Sequence, residues 1–161
     1  MRESLGEITR RGEWSSYAEA LLSAGDVPPA LAEALSSYWI EAGHRVREQI
    51  ADDRQLVRLL RHVLSPYKGG GAVLYRGENL DRWTAKRIGL AWTLDYGTAR
   101  TFARGWNAVE SGGVILRGHF APVAIISGPN PHSVHLGEHQ FTVDPLRATD
   151  LEALDQFPAV E

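Results

Sequence analysis

Apolar positions recur along this chain with two different periods, and the change falls at Ser65-Pro66-Tyr67-Lys68-Gly69-Gly70-Gly71. Before that cluster the spacing is three and four residues, the signature of one apolar face on a helix. Trp14, Tyr17, Ala18, Leu21 and Leu22 mark a first such helix. Asp26 stands ahead of Pro28-Pro29, a capped start for a second helix bearing Leu31, Leu35, Tyr38 and Trp39. The sharpest stripe is Leu56, Leu59, Leu60, Val63 and Leu64, with Asp52 or Asp53 as its cap. Pro66 and the glycine run stop it.

Beyond the glycines the runs shorten and strands dominate. Ala72–Arg76 is expected as a strand opening on Gly77, and Asn79–Arg87 as a short helix with Asn79 or Asp81 near its start. Leu90–Thr93 predicts a strand, and Asp95 caps a helix that places Ala99, Phe102, Ala103 and Trp106 on one face. Gly113–Phe120, Val123–Ile126 and Glu138–Val143 complete a mostly antiparallel set, joined by Gly- and Pro-rich loops. The pattern predicts an α+β fold, with N-terminal helices packed on a small β core. It is taken as a single domain over residues 1–161, helical over 1–66 and β-rich over 72–145.

Composition narrows the partners. A chain of 161 residues buries roughly two-thirds of its unfolded surface as one domain. A formal charge of −3 argues against a broad phosphate-binding surface, and hence against nucleic acid as a partner. Cysteine is absent, which excludes disulfides, thiolate zinc sites and a thiol nucleophile. The stretch from Met1 to Arg11 is polar and has no signal-peptide core. No apolar run approaches the roughly 20 residues of a membrane helix. A cytoplasmic protein, or one delivered into a target cytoplasm, is the expectation.

Three segments carry candidate chemistry. Tyr75-Arg76-Gly77 puts an arginine at the end of an apolar strand, where a charge needs either a phosphate or a nearby acid such as Glu78 or Asp81. Ala91-Trp92-Thr93-Leu94-Asp95 forms a strand-to-helix corner with a hydroxyl at Thr93, followed by Ala99 and Phe102. Glu138-His139-Gln140 precedes Phe141-Thr142-Val143-Asp144-Pro145, and strand alternation would place Glu138 and Gln140 on one face.

In this order the segments resemble the signature elements of the arginine–serine–glutamate class of ADP-ribosyltransferases, over about Ala72 to Pro145. The resemblance implies NAD as substrate and a protein side chain as acceptor, an arginine where the first acidic position is Glu. It implies that Arg76 meets the NAD phosphates or ribose and that the Gly77 backbone clamps the nicotinamide carboxamide. Trp92, Thr93 and Phe102 would complete the NAD-binding wall. Glu138 and Gln140 would be the catalytic pair. The loop Ser127–Gly137 would face the acceptor, and Arg104–Gly112 would lie over the phosphate and nicotinamide side.

Two positions depart from the family pattern. Ala91 stands where the family has the serine that positions the catalytic glutamate, and Gln140 stands in place of that glutamate. A glutamine can hydrogen-bond a ribose hydroxyl but offers no charge to a developing cation. By analogy with oxyanion-hole deletions, that loss costs about 2.7–4 kcal/mol, or roughly two to three orders of magnitude in rate. Three readings follow: a silenced transferase, a transferase using Glu138 as its ribose acid, or a module that binds NAD, ADP-ribose or a protein without turnover.

Other groupings carry less. The six histidines include His132, His135 and His139 in close succession, without a known zinc motif around them. Glu78, Asp81 and Asp95 are expected as surface charges and caps. Gly69-Gly70-Gly71 lacks the lysine and hydroxyl of a phosphate loop and reads as a linker.

Overall fold

The computed structural model describes residues 2–160, with side chains from residue 4 onward. Four helices come first: α1 (Arg2–Arg11), α2 (Trp14–Ser23), α3 (Pro29–Ile50) and α4 (Asp53–Val63). The leucine stripe of α4 forms as expected, and Leu56, Leu59, Leu60 and Val63 are all buried. Asp52 is its cap, its carboxylate accepting from the N–H groups of Arg54 and Gln55 at 3.0 and 3.2 Å. Each such side chain withdrawn from water contributes about 1.5–3 kcal/mol, so this helix anchors the helical core. Asp26 does not cap α3; Pro28 occupies that position without a side-chain bond, and the helix starts on Pro29. The sequence pattern also passes over α1, whose buried side rests on Leu5 with Ile8 packed beside it.

The β-rich part is two antiparallel three-stranded sheets. One has the order β1 (Ala72–Asn79), β3 (Gly113–Phe120), β6 (Thr149–Phe157); the other runs β2 (Ala91–Trp92), β5 (Phe141–Val143), β4 (Ile125–Ser127). A bridge between Tyr75 and Thr93 joins them. Leu74, Val114, Leu116 and Phe120 pack with Trp92, Ile125, Phe141 and Val143 to fill the space between the sheets. On the opposite face of the first sheet, α6 (Tyr96–Arg104) packs Ala99 and Ala103 over Ile115. Among the described residues no helix is long and apolar enough to cross a membrane.

Several strand boundaries move from their expected places. β1 continues to Asn79, which caps the short α5 (Leu80–Thr84). The segment before β4 is a 3-10 turn, Pro122–Ala124. The loop expected at Ser127–Gly137 contains a helical turn, α7 (Pro131–His135). β6 carries the first sheet past residue 145, the expected end of the β-rich core. Trp106 lies beyond the end of α6 and is 83% exposed, so it does not share the helix's buried face.

The helical and β-rich parts meet along α3. Its Trp39 indole donates to the Thr142 hydroxyl on β5 at 3.0 Å, and Arg47 donates to the Ile88 carbonyl at 2.9 Å. Between these two contacts the helix departs from helical geometry at Ala42.

Gly77 sets how closely α6 approaches β1. A Cβ there would stand 2.2 Å from the Ala99 carbonyl oxygen and 2.4 Å from the Ala103 nitrogen. Both are backbone atoms of a packed helix, so the strain cannot be relieved by a rotamer change. Gly77→Ala is expected to lower stability by about 3 kcal/mol in urea unfolding; an unchanged midpoint would contradict this packing.

Candidate functional site

Strand alternation carries Arg76 and Glu78 on the same face of β1 as Leu74, just past the end of the second sheet. Glu78, expected as a surface charge, is 0% exposed. Its carboxylate accepts from Arg76 Nε at 2.7 Å and from the N–H groups of Asn79 and Gly89, both at 2.8 Å. Arg82 Nε on α5 lies 3.2 Å from its other oxygen. Burial alone would raise the Glu78 carboxyl, but Arg76, the Asn79 N–H and Arg82 together hold it below the ordinary glutamate range.

Arg76 is fixed on three sides. Besides Glu78, it donates from Nη1 to the Ala91 carbonyl at 2.9 Å. The third constraint is Gly89, whose missing side chain makes room for the guanidinium: a Cβ there would lie 2.2 Å from Nη2 and 2.3 Å from Cζ. These two bonds use two of the five N–H groups of an arginine. The side chain remains 15% exposed and lines the walls of two adjoining cavities.

The first cavity encloses about 650 Å³, within the size range of small-molecule sites. Arg76, Gly77, Trp92, Thr93, Phe102, Glu138 and Gln140 all line it. Residues distant in the chain join them: Ile40, Glu41 and His44 from α3, Arg82 from α5, and Trp106 and Asn107 after α6. The second, of about 680 Å³, shares Arg76, Arg82, Ala91 and Gln140 and extends along α3 past Arg47 toward Asp53. The cleft therefore lies between the bent helix and the β core.

Each wall has a local cause. Tyr75 exchanges both backbone hydrogen bonds with Thr93, so Gly77, two residues on, directs its backbone to the same edge. The Gly77 carbonyl accepts from the Asn107 side chain at 2.6 Å. The Thr93 hydroxyl accepts from the Asp95 N–H at 3.1 Å, and Asp95 in turn caps α6 through Gly97 and Thr98. Trp92 turns inward to Phe120, with ring centroids 4.9 Å apart, and donates to the Gly89 carbonyl.

The segment bearing Glu138 and Gln140 is not the expected strand. β5 begins only at Phe141, and His139 takes a left-handed conformation with φ of 45°. Simple alternation therefore does not relate Glu138 to Gln140, although both reach the first cavity. Asn130 caps α7 and also donates to the Ser36 hydroxyl at 2.7 Å, while His132 Nε2 meets Glu41 Oε1 at 2.8 Å. Those contacts hold the segment against α3. Burial raises the Glu138 carboxyl above its ordinary range, with His132 acting in the opposite direction. Gln140 is buried; its N–H donates to the Ser133 hydroxyl at 3.3 Å, and its side-chain amide reaches the Thr142 hydroxyl at 3.4 Å.

The sequence pattern offered Glu78 as a partner for Arg76 but missed its burial, missed Arg82, and reached Asn107 only as part of the Arg104–Gly112 loop. One signal was available for the pair, because Arg82 follows Glu78 by four residues with the cap residue Asn79 between them. Nothing local marks Asn107, whose partner is 30 residues away. The three histidines do not assemble a metal centre: among the described residues no group of three or more metal-ligating side chains comes together. Comparison with protein-family models, curated proteins and solved structures returns no match.

A glutamate with a raised folded pKa destabilises the fold where it is ionised, and the cost appears as pH climbs from its ordinary value toward the folded one. Glu138→Gln is therefore expected to raise the melting temperature at pH 8. The gain should shrink toward zero below about pH 4.3, where the carboxyl is neutral in both states. A gain of equal size at both pH values would show that ionisation is not its source.

Proposed function

We propose that the chain is an ADP-ribosyltransferase-like protein that binds NAD in the cleft between α3 and the β core, with turnover weakened by Gln140. The observation that supports this reading is spatial. Seven residues singled out from three separate segments line one cavity of about 650 Å³.

In this reading Arg76, held by Glu78 and Gly89, binds the diphosphate. The Gly77 edge of β1 lies beside the nicotinamide, under Phe102 and Asn107. The bond from ribose C1′ to the nicotinamide nitrogen breaks, its electron pair leaves with nicotinamide, and the acceptor side chain bonds to C1′ and loses a proton. The ribose passes through a cationic state. Gln140 supplies a hydrogen bond there without a charge, which costs about 2.7–4 kcal/mol against a carboxylate. Ala91 adds no hydroxyl to help orient it. The cleft thereby favours holding NAD over splitting it, and a binding module for NAD or ADP-ribose is the second reading on the same residues.

Gln140→Glu separates the two. Thr142 Oγ1 accepts from Trp39, so its own hydroxyl hydrogen is available to turn toward a carboxylate at position 140. The expected outcome is a rise of about 10²–10³ in NAD consumption and target labelling. No activity in either form, with NAD still raising the melting temperature, favours the binding module. An active unaltered chain that Glu138→Ala silences moves the acid role to Glu138. Failure of NAD to protect either form against heating would overturn both readings.

A further inference from the structure

We infer that Arg82 is a second ligand for the diphosphate of the bound nucleotide, and that Glu78 is the positioning residue that aims Arg76 and Arg82 into one subsite. The inference deepens the reading above and rests on the same cleft. Its starting point is a charge imbalance at a buried carboxylate. Arg76 Nε bonds one Glu78 oxygen at 2.7 Å and Arg82 Nε approaches the other at 3.2 Å. Two guanidinium groups on one carboxylate leave one positive charge in excess.

Glu78 is already well satisfied without Arg82. The N–H groups of Asn79 and Gly89 occupy its oxygens along with Arg76. A buried carboxylate needs compensation, but one arginine and two N–H donors supply it. The second arginine is half-exposed, borders both cavities, and donates from Nη2 to the Asn107 side chain at 3.0 Å. Asn107 in turn donates to the Gly77 carbonyl. A continuous set of bonds thus runs from the buried carboxylate through Arg82 to the cleft edge where the nicotinamide end is placed. The facing walls also carry Glu41, which bonds His132, and Glu138. Two forks held side by side suit a ligand with two linked phosphates, because each fork can pair with oxygens of a different phosphate.

The test uses calorimetric affinities for inorganic pyrophosphate, ADP-ribose and phosphate-free adenosine, on the full chain and on Arg82→Ala, Arg82→Lys and Glu78→Gln. Arg82→Ala is expected to weaken pyrophosphate and ADP-ribose about 10- to 100-fold at unchanged adenosine affinity. Arg82→Lys should recover part of the loss, restoring the charge without the planar fork. Glu78→Gln should weaken the two phosphorylated probes and spare adenosine; if that variant does not fold, the Arg82 variants decide the matter. ADP-ribose bound equally by the wild type and Arg82→Ala would overturn the subsite and leave the proposed function standing. Arg82-dependent pyrophosphate binding without ADP-ribose binding supports the subsite and overturns the nucleotide reading. Binding of neither phosphorylated probe overturns both.

Discussion

A carboxylate sealed away from water constrains this fold more than any other single group. Glu78 is held by donors from β1, from α5 and from the segment leading into β2. Removing one partner of a buried ion pair typically costs about 3–5 kcal/mol, because the remaining charge is stranded. The turn from β1 through α5 to β2 must therefore close in one arrangement, and that closure carries Arg76 to the Ala91 carbonyl. The lowered carboxyl pKa gives this anchor a pH limit. Its contribution is complete above the ordinary glutamate range and is lost as pH falls through the lowered value.

The same constraint shapes the cleft. Arg76 reaches the cavity with its guanidinium plane already set, so a ligand would not have to order it. The opposite wall is a helix bent at Ala42, tied at Trp39 to Thr142 and at Arg47 to Ile88. The Glu138–Gln140 segment hangs from that wall through Asn130 and His132. Arginine on one side and the carboxyl and amide of Glu138 and Gln140 on the other make a site of opposed polarity. Such a site suits a ligand with an anionic middle and a cationic end, which is the reading proposed for NAD.

Several elements were legible because their causes are local. The α4 stripe needs only its own spacing, and Asp52, Asn79 and Asp95 cap their helices through N–H groups two and three residues away. The misses have the opposite character. The strand expected from Glu138 failed because His139 adopts a left-handed turn where the chain leaves α7. β6 escaped notice because most of its side chains are exposed and its pairing with β3 shifts register twice, so it shows no alternating apolar face. α1 presents too few apolar residues to define a stripe.

By itself the sequence determined the α+β order, the Asp95 cap and the neighbourhoods of two others, and the segments whose side chains now meet at one cavity. Those outcomes follow from hydrogen bonds and apolar periods within a few residues. Only the tertiary structure decided that Glu78 is buried, that Arg82 shares it with Arg76, and that Asn107 reaches Gly77 across 30 residues. A charge becomes buried through the surface that packs over it, and here that surface comes from chain segments no local pattern connects.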